Sequence, residues 1–493
     1  MKFDWEAQIG QTLNVTMHEN YGITSDPKSN TPIYEIVFKS GKLVNAYDDG
    51  ILLETEKKGQ RLKYLFRCYQ LNVLKYLTFN KMKFSQLLFI SCFTFFSINV
   101  FSQTIDIKSL QSYPNNSQTK LPILLMGKNS NDKLTIEFDV KSEYQPNLIV
   151  VFRFCDKNWI PYDNLFLANQ GQDRGYKFSA SILPNTVEEA NYHYKGHFPT
   201  KKDFVSFPYS GNWRFYITDF GDTTLVYAEG KFYVIYNEVS LFSSIKEERM
   251  EGTDLFPTDL NKVFNVTTKF ILPEDFFPEY VAEVRIVENH KINYPYTIDR
   301  QFNTLKRQYY WDANRKFTFT ARDIQPGNEY RQVNLMDVNR FNSKEVSAQY
   351  DGIEYSRFFQ QGEQDLNGGE ILRNFKNRYA TYLDVEFSLR TPDDLYDDVY
   401  LIGAFNNWTI FDSYKMNKSD DLYTISIPLK RGIYDYQYAA AVGNSKGEIY
   451  YDWLVFEGNS FDTSNEYHIF LYYNEPDLGG YDRIIGYSLS KSK

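Results

Sequence analysis

Residues 134–140 alternate without a break: Leu134, Ile136, Phe138 and Val140 fall on one side, Thr135, Glu137 and Asp139 on the other. A period of two belongs to a pleated strand, so the run predicts a strand with one packed face and one wet face. Apolar runs at 148–154, 213–218 and 231–236, set off by the turn-formers Ser210-Gly211-Asn212 and 219–222, predict further strands of the same unit. The pattern returns at 263–270 and at Ala282, Val284 and Ile286 against Glu283 and Arg285. It is cleanest at Leu383, Val385, Phe387 and Leu389, opposed by Asp384, Glu386 and Ser388, and again at Tyr423, Ile425, Ile427 and Leu429. Two facing sheets bury such stripes. The expectation is an all-β chain of tandem immunoglobulin-like β-sandwich domains.

The sandwiches are expected at 103–236, 237–366 and 370–487, with the polar, glycine-containing stretch 360–369 as the loop before the third. Ahead of them lies an extension, 1–81. There Tyr34, Ile36 and Phe38 alternate and Ser40-Gly41 and Asp48-Asp49-Gly50 mark turns, which predicts a small β-barrel. From Leu62 the spacing Leu65, Phe66, Tyr69, Val73, Leu77 predicts a helix.

Between extension and sandwiches stands Lys81-Met82-Lys83, a charge-free apolar run over 84–101, and then Ser102-Gln103. The basic front, the short apolar run and the small Val100 and Ser102 before Gln103 are those of a secretory signal peptide, 82–102, rather than of a span of about 20 residues. Met82 is then a start, and 1–81 is either a misassigned beginning or a separate module. The alternative keeps Met1 as the start and makes 84–101 an uncleaved anchor. In both readings the chain from Gln103 leaves the cytoplasm.

Composition narrows the picture. Of 493 residues 41 are Tyr and 40 Phe, residue types that suit half-buried pleated surfaces. The formal charge of −9 gives no basic footprint for nucleic acid. Of Cys68, Cys92 and Cys155 only the last follows the signal, so the exported part forms no internal disulfide.

The run 399–408, Val-Tyr-Leu-Ile-Gly-Ala-Phe-Asn-Asn-Trp, resembles the strand-turn signature of early-set immunoglobulin-like domains related to glycogen-binding modules. That resemblance implies a carbohydrate platform at Trp408, Gln437 and Trp453, although Gln437 stands where the sugar-binding relatives have Lys. Over 104–487 a second likeness runs through Phe154-Cys155-Asp156-Lys157-Asn158-Trp159, Asn185-Thr186, Tyr192-His193-Tyr194, Ser210-Gly211-Asn212-Trp213 and Phe232-Tyr233-Val234. It ends in Tyr472-Tyr473-Asn474-Glu475-Pro476 and 481–487, Tyr-Asp-Arg-Ile-Ile-Gly-Tyr. In this order the motifs look like the plug protein family of the type IX secretion system. Phe154 stands where many relatives carry His, and the segment before Met82 has no counterpart. The resemblance implies a noncatalytic periplasmic protein, without cofactor, that closes the periplasmic mouth of the outer-membrane translocon barrel. The alternative is an α-glucan-binding envelope protein.

For docking, the aromatic loop residues are the candidates: Phe204, Phe207 and Tyr209 around Pro208, Phe276 and Phe277 before Pro278, and Phe358 with Phe359. The plainer alternative is that these rings close the ends of the sandwiches. His193 and His197 lack a third metal ligand, and the acidic pairs Asp393-Asp394, Asp397-Asp398 and Asp420-Asp421 fall in predicted turns. No nucleophile elbow or phosphate loop occurs, which leaves an enzyme the least favoured class.

Overall fold

The computed structural model describes the backbone of 12–20, 34–47, 50–57 and 60–67, and residues 105–493 except 128–129, 169–173, 176–177, 201–204, 251–260, 351, 359, 392–395, 397 and 444–448. The chain divides into two units, Met1–Phe101 and Ser102–Lys493. In the first, four strands, Thr12–Asn20, Tyr34–Tyr47, Gly50–Lys57 and Gln60–Arg67, pair in chain order as an antiparallel sheet. The helix expected from Leu62 is therefore corrected over its first residues, because 60–67 pair with 50–57. The signal segment 82–102 lies outside the described residues.

The second unit is built of three β-sandwiches. In the first, a sheet containing Leu148–Cys155, Gly211–Asp219 and Val226–Tyr236 faces one containing Asp106–Pro114, Leu134–Lys141 and Tyr192–Phe198. Their inner stripes, Ile136, Phe138, Val150, Phe152, Phe215 and Phe232 among them, form one core. At Gly230 an added Cβ would come within 2.3 Å of the Phe215 ring, so only glycine lets that ring lie flat on the strand.

The second sandwich holds Phe242–Arg249, Lys262–Ile271, Arg307–Trp311 and Lys316–Ile324 in one sheet. Its other sheet pairs Val281–Glu288 with Glu466–Glu475, and that strand with Tyr481–Lys491. The third sandwich gathers Tyr382–Arg390, Asp398–Gly403, Leu422–Lys430 and Gly432–Gly443. Arg331–Asn334 joins it by pairing with 432–443, as do Glu345–Ser347 and Glu354–Tyr355 by pairing with 382–390.

These pairings correct the expected boundaries. The third sandwich already recruits strands at 331–355, which were expected in 237–366, and the strands at 466–491, expected in the third, complete the second. Stretch 360–369 is thus internal to the third sandwich. The cause is long-range pairing: Tyr467, Ile469, Leu471 and Tyr473 fill the core left by Val284, Ile286, Phe317 and Phe319.

The strand 134–141 departs from its expected wet face as well. Thr135, Glu137 and Asp139 are buried, because this face looks onto the third sandwich. The Asp139 carboxylate meets the Lys430 ammonium at 2.6 Å, the Tyr382 hydroxyl at 2.9 Å and His193 Nδ1 at 2.8 Å, while Glu137 meets Lys195 at 2.8 Å. Burial pushes the Asp139 carboxyl up, but the His193 hydrogen bond and the Lys430 charge outweigh it and hold the group below its ordinary range. Paired buried charges of this kind fix one geometry between two bodies, since parting them would strand each charge.

Candidate partner-binding surface

The C-terminal hairpin formed by Glu466–Glu475 and Tyr481–Lys491 reaches from the second sandwich to the first. At its tip the Asn164 amide donates to the Leu478 carbonyl at 2.6 Å. The Asp482 N–H donates to the Tyr162 hydroxyl at 2.7 Å, and the Asp482 carboxylate accepts the Lys157 N–H at 2.9 Å. Tyr481 meets Tyr209 edge-on with ring centres 5.6 Å apart, and the Tyr209 hydroxyl donates to the Phe166 carbonyl at 2.8 Å. With its backbone held in this way, the loop presents Leu165 and Phe166 outward, 82% and 71% exposed, beside the exposed Leu478.

Farther along the same hairpin, Tyr473 accepts the Phe277 N–H at 3.1 Å and packs edge-on against Phe276 at 5.2 Å. Arg483 lies over the Phe276 ring and bonds Glu475 at 2.9 Å. Phe277 is left 58% exposed. Two outward apolar groups therefore lie on or beside the hairpin, Leu165-Phe166-Leu478 and Phe277, on backbone that these hydrogen bonds hold. A partner that covers these side chains has little loop backbone left to order, which favours docking.

The rings expected at a partner surface are distributed otherwise. Phe207 is a core residue, packed against Phe152, Trp213 and Phe232, and Phe276 is buried under Arg483. Tyr209 and Phe358 are half-buried, and Phe204 and Phe359 lie outside the described residues. Among the described candidate rings Phe277 is the exposed one. Leu165 and Phe166 are not among the rings and apolar residues expected there. Their signal was two large apolar residues directly after the turn-forming Asp163-Asn164.

The expected carbohydrate platform is also corrected. Trp408 is 1% exposed, donates its indole N–H to the Gly368 carbonyl at 2.7 Å and packs on Tyr330 at 4.2 Å. Trp453 is met by Tyr294 at 5.0 Å and covered by the Lys291 ammonium 5.1 Å from its ring centre. Gln437 is buried and donates to the Trp453 carbonyl at 3.3 Å. Thus Gln437 and Trp453 do come together, but they present no paired open ring faces with Trp408, and sugar stacking needs such faces.

His193 and His197 lie on the strand Tyr192–Phe198, where His193 stacks on Phe375 at 3.9 Å and His197 Nδ1 lies 2.9 Å from the Thr135 hydroxyl. Both imidazoles thus have structural partners. Cys155 is buried and free, its thiol pushed up to about 12 by burial. Of the acidic turn pairs, Asp393, Asp394 and Asp397 lie outside the described residues, while Asp398 pairs with Lys415 at 2.5 Å and Asp421 with Arg390 at 3.3 Å.

Comparison with solved structures supports the architecture. A hypothetical protein from Parabacteroides merdae ATCC 43184 superposes with a TM-score of 0.63 at 20% identity, over 79% of this chain and 98% of that one, so the two share a fold. A structure concerned with host cell surface retention of a 1.5-MDa bacterial ice-binding adhesin aligns at 10% identity over 78% and 96% of the two chains. Its TM-score of 0.11 carries no likeness of fold. No curated protein matches the chain. Residues 107–236, nearly the whole of the first sandwich, match the family model described as Type 9 secretion system plug protein 1st domain, and this is the family to which the chain is similar.

Proposed function

We propose that the chain is an exported, noncatalytic plug that binds the outer-membrane translocon barrel of the type IX secretion system and seals its periplasmic opening when no cargo passes. The match of residues 107–236 to the plug protein first domain carries this reading and suggests the cell envelope as its place. The physical task fits the fold. A stopper must keep its shape under load, and the buried Asp139–Lys430 pair resists relative movement of the first and third sandwiches.

A specific seal buries on the order of 1,200–2,000 Å². In this reading the hairpin surface with Leu165, Phe166, Leu478 and Phe277 supplies its apolar centre. The test is the permeability of native-host cells lacking the protein to a large antibiotic that the outer membrane normally excludes. A plug predicts sensitisation that disappears when the translocon barrel is also deleted. Unchanged permeability in the single deletion contradicts the reading.

A further inference from the structure

Where the three sandwiches meet, a cleft of about 640 Å³ opens, lined by Trp159, Arg214, Lys231 and Trp408 among others. Two of its cations already have protein partners: Arg214 bonds Glu229 at 2.5 Å and Lys231 bonds Asn293 at 2.6 Å. One wall is different. It consists of Gly368, Gly369 and Glu370, the end of segment 362–370 that crosses the third sandwich before the short strand Glu370–Leu372.

Two acids fasten this segment. Asp365 accepts the Asn367 N–H at 2.6 Å on one oxygen and the Tyr330 N–H on the other. Asp435, from the strand Gly432–Gly443, accepts the N–H groups of Leu366 at 2.7 Å and Gly368 at 3.0 Å on one oxygen and the Gln332 amide at 3.0 Å on the other. The backbone at Asn367 and Gly368 takes φ of 52° and 86°, a left-handed bend that these contacts hold in place. Gly368 in turn accepts the Trp408 indole N–H at 2.7 Å.

The groups facing these carboxyls bring no neutralising charge. Asp365 faces Asp435 and Glu329, Asp435 faces Glu329 and the neutral Gln332, and Glu370 faces Gln111 and Glu137. The nearby cations are engaged elsewhere: Arg357 with Glu457 at 2.9 Å and with the Glu329 carbonyl, Lys291 with Glu288 at 2.9 Å. Two neighbouring carboxylates withdrawn from water cannot both stay charged without strain.

We propose that segment 362–370 is a proton-operated strap, fastened while the Asp365 and Asp435 pair holds a proton and released when both are ionised, so that its release opens one wall of the three-way cleft. Burial pushes Asp365 up to about 8, with the Asp435 charge adding to it, and burial alone leads in raising Asp435 to about 6 and Glu370 to about 7. Because these carboxyls are raised in the fastened form, that form binds more protons than the released one. Its advantage is complete below about pH 4, falls as pH rises and is gone above about pH 8.

Hydrogen–deuterium exchange of 362–370 in the full chain tests this, with rates at pH 6 and pH 9 corrected for intrinsic chemistry. The wild type should lose at least ~10-fold of its protection between the two, while peptides from 134–141 keep theirs. Asp365→Asn should lose markedly less protection between the two than the wild type, the remainder coming from Asp435 and Glu370, and Asp435→Asn, should the first variant not fold, serves in its place. Equal wild-type protection at both pH values overturns the strap. So does an undiminished pH response in the folded variant, or loss of protection in 134–141 together with the segment.

Discussion

The Asp139 carboxylate of the first sandwich lies 2.6 Å from the Lys430 ammonium of the third, with both side chains almost fully buried. In sequence they are 291 residues apart, and the contact ties the two bodies at a point water does not reach. Replacing Lys430→Met leaves Asp139 with the His193 and Tyr382 contacts alone. The expected cost is about 3–5 kcal/mol of unfolding free energy, read by chemical denaturation. A loss below about 1 kcal/mol would show that the pair does not fasten the interface.

Phe207 separates core from surface. Its ring packs against Phe152, Trp213 and Phe232, so Phe207→Ala should cost about 3–5 kcal/mol, measured in the same way. Surface behaviour, a change within about 0.5 kcal/mol, would return it to the candidate docking rings.

Leu165 and Phe166 should behave in the opposite manner. Leu165→Asp with Phe166→Asp is expected to leave the melting temperature nearly unchanged, because both side chains are already in water. Recovery of the translocon barrel with the variant should fall several-fold. Full recovery with intact folding would remove this loop from the interface.

Acid should weaken the fold through His468. Burial pushes its imidazole down to about 3, with the charges of His290 and Lys491 adding to the effect. The folded chain therefore keeps it neutral where the unfolded chain would protonate it. The resulting stability is present above about pH 6.5 and is lost as pH falls toward 3, by up to about 1.4 kcal/mol per pH unit. Replacing His468→Gln should reduce that slope in denaturation curves taken between pH 6.5 and 4, leaving the share of His290, which burial pushes down to about 4, and an unchanged slope would contradict the assignment.

Strand alternation was readable because each strand's inner stripe, such as Leu134, Ile136, Phe138 and Val140, is a local pattern. What covers the opposite stripe is not local. Glu137 and Asp139 read as wet, yet they are buried by residues near 382 and 430 that no short-range spacing could indicate. The C-terminal strands misled for the same reason, since Tyr467 to Tyr473 alternate like any sandwich strand and only pairing with 281–288 shows which sandwich they complete. The docking candidates divide for a third reason: Phe207 and Phe277 both flank a proline, but only the geometry reveals that one ring points inward and the other out.

Processing follows from the segment ahead of the sandwiches. Mass spectrometry of the protein from its native host should find Gln103 at the mature N-terminus. Peptides from 1–81 joined to the exported chain would contradict cleavage there.

The most direct measurement is affinity purification of the tagged protein from native-host envelopes, followed by identification of what comes with it. The plug account predicts a very large outer-membrane barrel in near-stoichiometric amount, diminished by the Leu165→Asp, Phe166→Asp variant. A chain recovered without any such barrel, from envelopes shown to contain one, would contradict it.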